Sequence, residues 1–229
     1  MASGGSLRLK ELKSRFAGAG LPLSQHQAEQ FLLYHEELIK WNPRAKLISK
    51  RDEGRVLSRH FLECAGLTQF EEFAEGVETL DLGTGGGFPG LAMKIVRPDL
   101  KMTLLDSKRW KTLFLRSVIE KLGLSGTCVV CERVENLADS PGFRGRFDVV
   151  VCRAVTELAI LYGWATPLLR EGGVLVAVKG SQLSREQEEM RRAFPDVSVT
   201  ARPLSVQDEE HKLKAVLCSL FDRADAENV

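Results

Sequence analysis

The sequence predicts an α/β fold, with a mostly parallel seven-stranded sheet, helices on both of its faces, an antiparallel hairpin at its C-terminal edge and a helical extension before it. Three observations predict it. From Val77 onward, short β-branched runs alternate with helical segments, the pattern of strand–helix–strand units. The last two apolar runs, "VSVTARPL" and "HKLKAVLCSLF", have only the acidic "SVQDEE" between them, which predicts a hairpin. Before Val77 the apolar spacing is that of helices alone.

The extension comes first. Ser24 with Gln27 three residues on forms a capping box, and Phe31, Leu32, His35, Leu38, Ile39 and Asn42 then recur at helical spacing. A second helix is predicted after Asp52, with Val56, Leu57, His60, Phe61 and Cys64 on one face. The extension occupies 1–75 and the α/β domain 76–229. Within the domain, strands are predicted at 77–82, 101–106, 127–132, 147–152 and 173–178, and helices at 89–97, 108–122, 157–169 and 183–193.

The 229 residues, 44% hydrophobic and 28% charged, suffice for a full core and one smaller appendage. No apolar run approaches the roughly eighteen residues of a membrane span, and none follows Arg8, Lys10, Lys13 and Arg15 as in a signal peptide. A cytoplasmic location is expected. The net charge of +1 gives the whole molecule no electrostatic preference, but its first 60 residues hold eleven Lys/Arg against six acidic residues. A second basic run, Lys108, Arg109, Lys111 and Arg116, follows Asp106, so a nucleic-acid partner is one reading and a solvated surface the other. The five cysteines are odd in number and lie in apolar runs, which suits reduced core thiols. Cys128-Val-Val-Cys131 has no second pair or nearby histidine, so no metal is expected. A monomer is expected.

The chemistry concentrates at "LDLGTGGGFPG", Leu80 to Gly90, where the first domain strand ends and five glycines fall within eight residues. This is the crevice outside the carboxyl ends of the strands, where such folds bind ligands. Two ligand classes use so bare a turn. A dinucleotide fingerprint is formally present from Gly85 to Gly90, although Pro89 removes an N–H where a pyrophosphate would seek donors. The alternative is an acid followed by GxGxG, here Asp81, Gly83, Gly85 and Gly87, which suits S-adenosylmethionine: Asp81 would help neutralise its positive charge. Asp106, ending the second strand at "MTLLD" with Ser107 beside it, is placed to accept both ribose hydroxyls.

Beyond the loop, "TLLDSKRWKTLFLR", "ERVENL", "DVVVCRAV" and "VLVAVKG", with "KWN" and "RHFLEC" upstream, are met in an order that resembles one family. It is the bacterial small-subunit ribosomal RNA guanine-N7 methyltransferase family, also called RsmG or glucose-inhibited division protein B. The resemblance runs from Trp41 to Lys179 and beyond. It implies a Rossmann-like class I methyltransferase that uses S-adenosylmethionine to methylate N7 of a guanine in 16S rRNA, with that RNA or the small ribosomal subunit as partner. It further implies that Gly83 and Phe88 belong to the cofactor loop, that Val134 and Glu135 flank the adenine, and that Arg153 lies at the cofactor. The chain departs from the family pattern in three places. Lys46-Leu47-Ile48-Ser49 stands where Asn-Leu-Thr is common, Leu62-Glu63-Cys64 where Leu-Asp-Ser is common, and Lys108-Arg109-Trp110-Lys111 where Gly-Lys-Arg is usual.

Guanine N7 carries a lone pair and no proton, so it can attack a sulfonium methyl without a general base, and catalysis reduces to alignment. The sequence agrees: it has no Asn-Pro-Pro-Tyr segment for a base amino group and no cysteine–proline nucleophile, and Cys152 reads as a core thiol. Arg153, Arg133 and Lys179, all at or just past strand ends, are the expected catalytic contacts, to phosphate or to the guanine O6 edge. His60 reads as a core histidine. Arg44, Lys46, Lys50, Arg51 and the run Lys108 to Lys111 are the expected RNA phosphate contacts. Two alternatives stay open, a methyltransferase of a small molecule or protein and a dinucleotide oxidoreductase.

Overall fold

The computed structural model describes residues 2–153, 155–180, 183–204 and 213–220. Its strands are β1 Glu78–Leu82, β2 Lys101–Leu105, β3 Thr127–Val130, β4 Phe147–Arg153, β5 Leu169–Lys179, β6 Val197–Pro203 and β7 Lys214–Leu220. They form one seven-stranded sheet in the order β3-β2-β1-β4-β5-β7-β6. β1 to β5 run parallel, while β7 inserts antiparallel between β5 and β6. Strand order therefore reverses between β1 and β4, which opens a crevice at their carboxyl ends. The acidic turn "SVQDEE" of the predicted hairpin lies outside the described residues.

The eight helices among the described residues are α1 Ala2–Gly18, α2 Gln25–Ala45, α3 Leu62–Gly66, α4 Gly90–Val96, α5 Arg109–Leu122, α6 Val134–Ala138, α7 Leu158–Ala165 and α8 Leu183–Ala193. They divide between the faces by the period of two along the strands. Val149 and Val151 of β4 join one buried cluster with side chains of α1 to α5, and Val150 and Cys152 join the other with those of α6 to α8. The helices before residue 76 thus share a core with α4 and α5.

The start and end of α2 have local causes that also reach across the fold. Gln27 N donates to Ser24 Oγ at 3.1 Å and Ser24 N to Gln27 Oε1 at 2.9 Å, the reciprocal capping box. Gln27 Nε2 then donates to the carbonyls of Ile95 and Val96, at 2.9 and 3.1 Å, tying the start of α2 to the end of α4. At the other end Pro43 lies in the last turn and Lys46 takes a left-handed conformation, φ 52°. Asn42 supplies the stop: its Oδ1 accepts from Leu47 N and Ile48 N, at 2.9 and 3.0 Å, while its Nδ2 donates to Glu53 Oε1 at 2.8 Å.

Four expectations need correction. The helix expected after Asp52 is broken into a 3₁₀ turn Glu53–Arg55, a π-helical turn Val56–Phe61 that packs against α1 and α2, and α3 with a second 3₁₀ turn Leu67–Gln69, both of which pack against α4. α1 and the short α6 were not expected; α1 carries glycines at its start and α6 is too brief to show a period. The helix expected over 157–169 stops at Ala165, and β5 begins at Leu169, because a register shift between Phe147 and Val149 lets β5 pair earlier. Cys64, Cys152 and Cys218 are buried, but Cys128 and Cys131 are exposed, since β3 is an edge strand with little covering it.

Tyr34 of α2 makes the contact by which the extension touches the glycine loop. It is fully buried, and its Oη donates to the Gly86 carbonyl at 2.5 Å. Tyr34→Phe keeps the ring packing and removes only this bond, so it should cost about 1–2 kcal/mol, the range for a buried hydrogen bond whose acceptor is left without a donor. Urea unfolding measures this, and an unchanged midpoint would remove the bond from the stability of the loop.

Candidate active site

The glycine loop leaves β1 and crosses the end of β2, where the amides of Gly83 and Thr84 both donate to the Leu105 carbonyl, at 2.9 and 3.0 Å. Two carboxylates then brace it. Asp81 Oδ2 accepts from Thr84 Oγ1 at 2.6 Å and from Gly90 N at 2.7 Å, so a single oxygen holds both ends of the turn. Asp106 Oδ2 accepts from Gly85 N at 3.0 Å, and its Oδ1 from Lys108 N at 2.8 Å, with Lys111 Nζ 3.7 Å away.

Beside the loop lies a cavity of about 180 Å³ that brings together half of the expected residues: Gly83, Asp106, Ser107, Arg133, Val134 and Glu135. Leu82, Leu105, Glu132, Val155 and Trp164 complete its lining, and of these Val155 and Trp164 come last in the chain. The last two were missed because they follow β4 on a loop and a helix with no motif of their own. The lining is what an adenosine needs, with apolar side chains for a flat ring and a nearly buried carboxylate for hydroxyls. Gly85 sits just outside it at φ +59°, a left-handed conformation that favours glycine, and a Cβ there would be in ordinary contact with Lys111 Nζ at 3.8 Å and the Gly83 carbonyl at 3.9 Å.

Four expected residues face elsewhere. Asp81 is wholly enclosed, on the face of β1 opposite Leu80 and Leu82, so it organises the loop and is not exposed to a ligand. Gly87 at φ +92° is required by packing: a Cβ there would lie 2.5 Å from Tyr34 Oη and 2.6 Å from Leu91. Phe88 turns into the core of the extension, its ring centroid 5.1 Å from that of His60 and 5.9 Å from that of Phe61. Lys179, expected at phosphate or guanine, is buried and points away from the crevice; it pairs with Glu186 Oε2 at 2.6 Å and also donates to the Thr156 carbonyl.

The two arginines differ. Arg133 stands at the rim with its side chain 73% exposed, its Nε 3.8 Å from Glu135. Arg153, at the end of β4, is almost enclosed: its Nη2 meets Glu63 Oε2 at 2.7 Å and its Nη1 donates to Cys64 Sγ at 3.1 Å. Both partners lie in α3, at two of the positions where the sequence departs from the pattern it resembles. Each departure keeps the chemistry, an acid for the guanidinium and a sulfur acceptor in place of a hydroxyl. Burial pushes the Cys64 thiol up to about 11 and that of Cys152 up to about 12, so neither offers a thiolate nucleophile near neutral pH.

Comparison with known proteins gives one consistent result. A family model described as "rRNA small subunit methyltransferase G" matches residues 27–213. The chain is 38% identical over 205 residues to the ribosomal RNA small subunit methyltransferase G of Chloroflexus aggregans, spanning 88% of this chain and 85% of that protein. It is 37% identical over 169 residues to the protein of the same name from Oceanobacillus iheyensis, spanning 74% and 71%. Among solved structures, the ribosomal protein L11 methylase of Lactobacillus delbrueckii subsp. bulgaricus superposes with a TM-score of 0.55 at 16% identity, over 72% of this chain and 79% of that one. At such identity the likeness is one of fold.

Burial raises the Asp81 carboxyl from 3.8 to about 7, against the lowering effect of its bonds to Thr84 and Gly90. Between about pH 4 and pH 7 the folded chain therefore holds a proton here that the unfolded chain has lost, so this group's contribution to stability falls as pH rises through that window. Asp81→Asn removes the titration. The stability of the wild type relative to the variant should decline by something on the order of a few kcal/mol from pH 4 to pH 8. Chemical denaturation across that range measures it, and a difference that stays flat would show Asp81 already ionised under the loop.

Proposed function

The chain belongs to the rRNA small subunit methyltransferase G family, and from that membership we propose that it transfers the methyl group of S-adenosylmethionine to N7 of a guanine in 16S ribosomal RNA, in the cytoplasm. The observation that carries the reading at the level of the site is Asp106, a nearly buried carboxylate opening onto an apolar cavity at the strand ends. The residues present suit this cofactor. Asp106 would accept the ribose hydroxyls, and the apolar Val134 and Leu105, with Glu135 and Ser107 beside them, would hold the adenine.

When bound, S-adenosylmethionine supplies a methyl group made electrophilic by a cationic sulfur. The chain's own residues need only hold the guanine in line with it and keep water out, since N7 has no proton to lose. Arg133, exposed at the rim and only loosely paired with Glu135, would meet a phosphate or the guanine O6 edge. Arg153 and Glu63 form a pair of no net charge beside the crevice, which neither attracts nor repels a cationic cofactor and a cationic product. Asp81 argues against a dinucleotide: the first amide of α4 is already donated to its carboxylate, so a pyrophosphate would meet an acid there. We assign residues 76–229 to cofactor binding and transfer, and 1–75 to support of the loop and to the RNA side.

The deciding experiment uses 16S rRNA from a strain lacking the corresponding methyl group. The purified protein should transfer label from S-adenosylmethionine to that RNA, and strand scission chemistry specific for 7-methylguanine should map the product. Label appearing in an amino group or in protein would overturn the assignment. Asp106→Ala should weaken S-adenosylmethionine binding by about 1–3 kcal/mol, the range for losing a charged hydrogen-bond partner. Calorimetry reporting an unchanged affinity would take Asp106 out of the site.

A further inference from the structure

The largest exposed side chain that the fold does not explain is Trp110. It opens α5 four residues after Asp106 and is 48% exposed, the most exposed large hydrophobic side chain among the described residues. Arg44, from the last turn of α2, lies over its ring with the guanidinium carbon 4.8 Å from the centroid. Next to this pair α2 and α5 leave a groove of about 350 Å³ lined by Lys40, Trp41, Arg44, Ser117 and Lys121.

Charge says what the groove fits. Lys108 and Arg109 flank Trp110 and are exposed, and Lys111 follows. Of the nearby acids, Glu37 and Asp106 are buried, the first 2.7 Å from Lys121 and 3.6 Å from Lys40 and the second holding the loop, and exposed Glu36 and Glu120 on the same two helices are outnumbered by the cations. What remains is an excess of cations around an open indole. A protein partner would call for more apolar area than Trp110 and the partly exposed Leu113 provide. An unpaired nucleotide needs just these two elements, an aromatic plane for its base and cations for the phosphates on either side.

We propose that the surface between the end of α2 and the start of α5 is an RNA-docking site, in which an unpaired base of the substrate RNA stacks on Trp110 and the adjoining phosphates lie along Lys40, Arg44 and Lys108. The site rests on the reading of the chain as an RNA methyltransferase. It shares no lining residue with the cofactor cavity yet lies on the segment that follows Asp106, so RNA held there is kept beside the cofactor site without occupying it.

The test compares Trp110→Ala, Trp110→Phe and Arg44→Gln in direct binding to deproteinised 16S rRNA over a series of salt concentrations, with S-adenosylmethionine affinity measured alongside. Trp110→Ala should weaken RNA binding roughly tenfold with an unchanged salt slope, because stacking releases no counterions. Trp110→Phe should restore most of the loss. Arg44→Gln should flatten the salt slope by somewhat under one unit. All three should bind S-adenosylmethionine as the wild type does. The proposal is overturned if Trp110→Ala binds RNA like the wild type, if the phenylalanine variant is as weak as the alanine one, or if cofactor affinity falls in parallel. Because RNA binding is read directly, a wild type that binds through Trp110 but leaves 16S rRNA unmethylated would sink the assigned reaction and not the surface.

Discussion

A buried carboxylate with no cation beside it is an expensive thing to fold, and Asp81 is placed where that expense shapes the whole site. Its Oδ2 takes the Thr84 hydroxyl and the Gly90 amide, the two ends of the glycine loop, while its Oδ1 has no hydrogen-bond partner among the described residues. The loop closes over this group and in closing fixes the start of α4 and the path toward β2. Asp106 takes hold of the same loop from the neighbouring strand, through Gly85. Two adjacent strands thus each contribute one acid, the first spent inside the loop and the second left at the edge of the cavity.

The helical extension bears on the loop from the other side. Tyr34 occupies the space that a side chain at Gly87 would need and donates to Gly86, and Phe88 packs among Tyr34, His60 and Phe61. Glu63 and Cys64 of α3 hold Arg153 at the end of β4. The extension therefore backs the glycine loop and the end of β4. Changes in α2 reach the loop through the Tyr34 hydrogen bond, and those in α3 reach Arg153.

The fold was largely readable because its signals are local. Strand–helix alternation, the capping box at Ser24 and the antiparallel ending all follow from patterns within a few residues, and they survive in the structure. The site was readable in its glycines and in Asp106, for which chain position alone suffices. Direction was harder. Arg153 and Lys179 both end strands, yet Arg153 continues the row of Val149 and Val151 toward the extension, whereas Lys179 continues that of Leu175 and Ala177 toward α8 and Glu186. The period of two carried that distinction, and treating every strand-end cation as facing the crevice overlooked it. Partners such as Glu63, Tyr34 and Trp164 had no signal, because what they touch is brought near only by tertiary packing.

The hydrogen bonds that join the extension to the domain also set an order of events at the ribosome. Tyr34 waits 52 residues for its acceptor at Gly86, Arg153 reaches back 90 residues to Glu63, and Gln30 finds the Leu122 carbonyl 92 residues on. A nascent chain that has released only the first helices therefore carries Phe16, Phe31 and Phe61 with no sheet to cover them. Such long closures are slow and leave apolar surface open while they are pending. The helices before residue 76 are made before the sheet that covers them and are among the last parts to be finished, so the interval is a window in which a chaperone, or a second nascent chain, can reach surfaces that the folded molecule conceals.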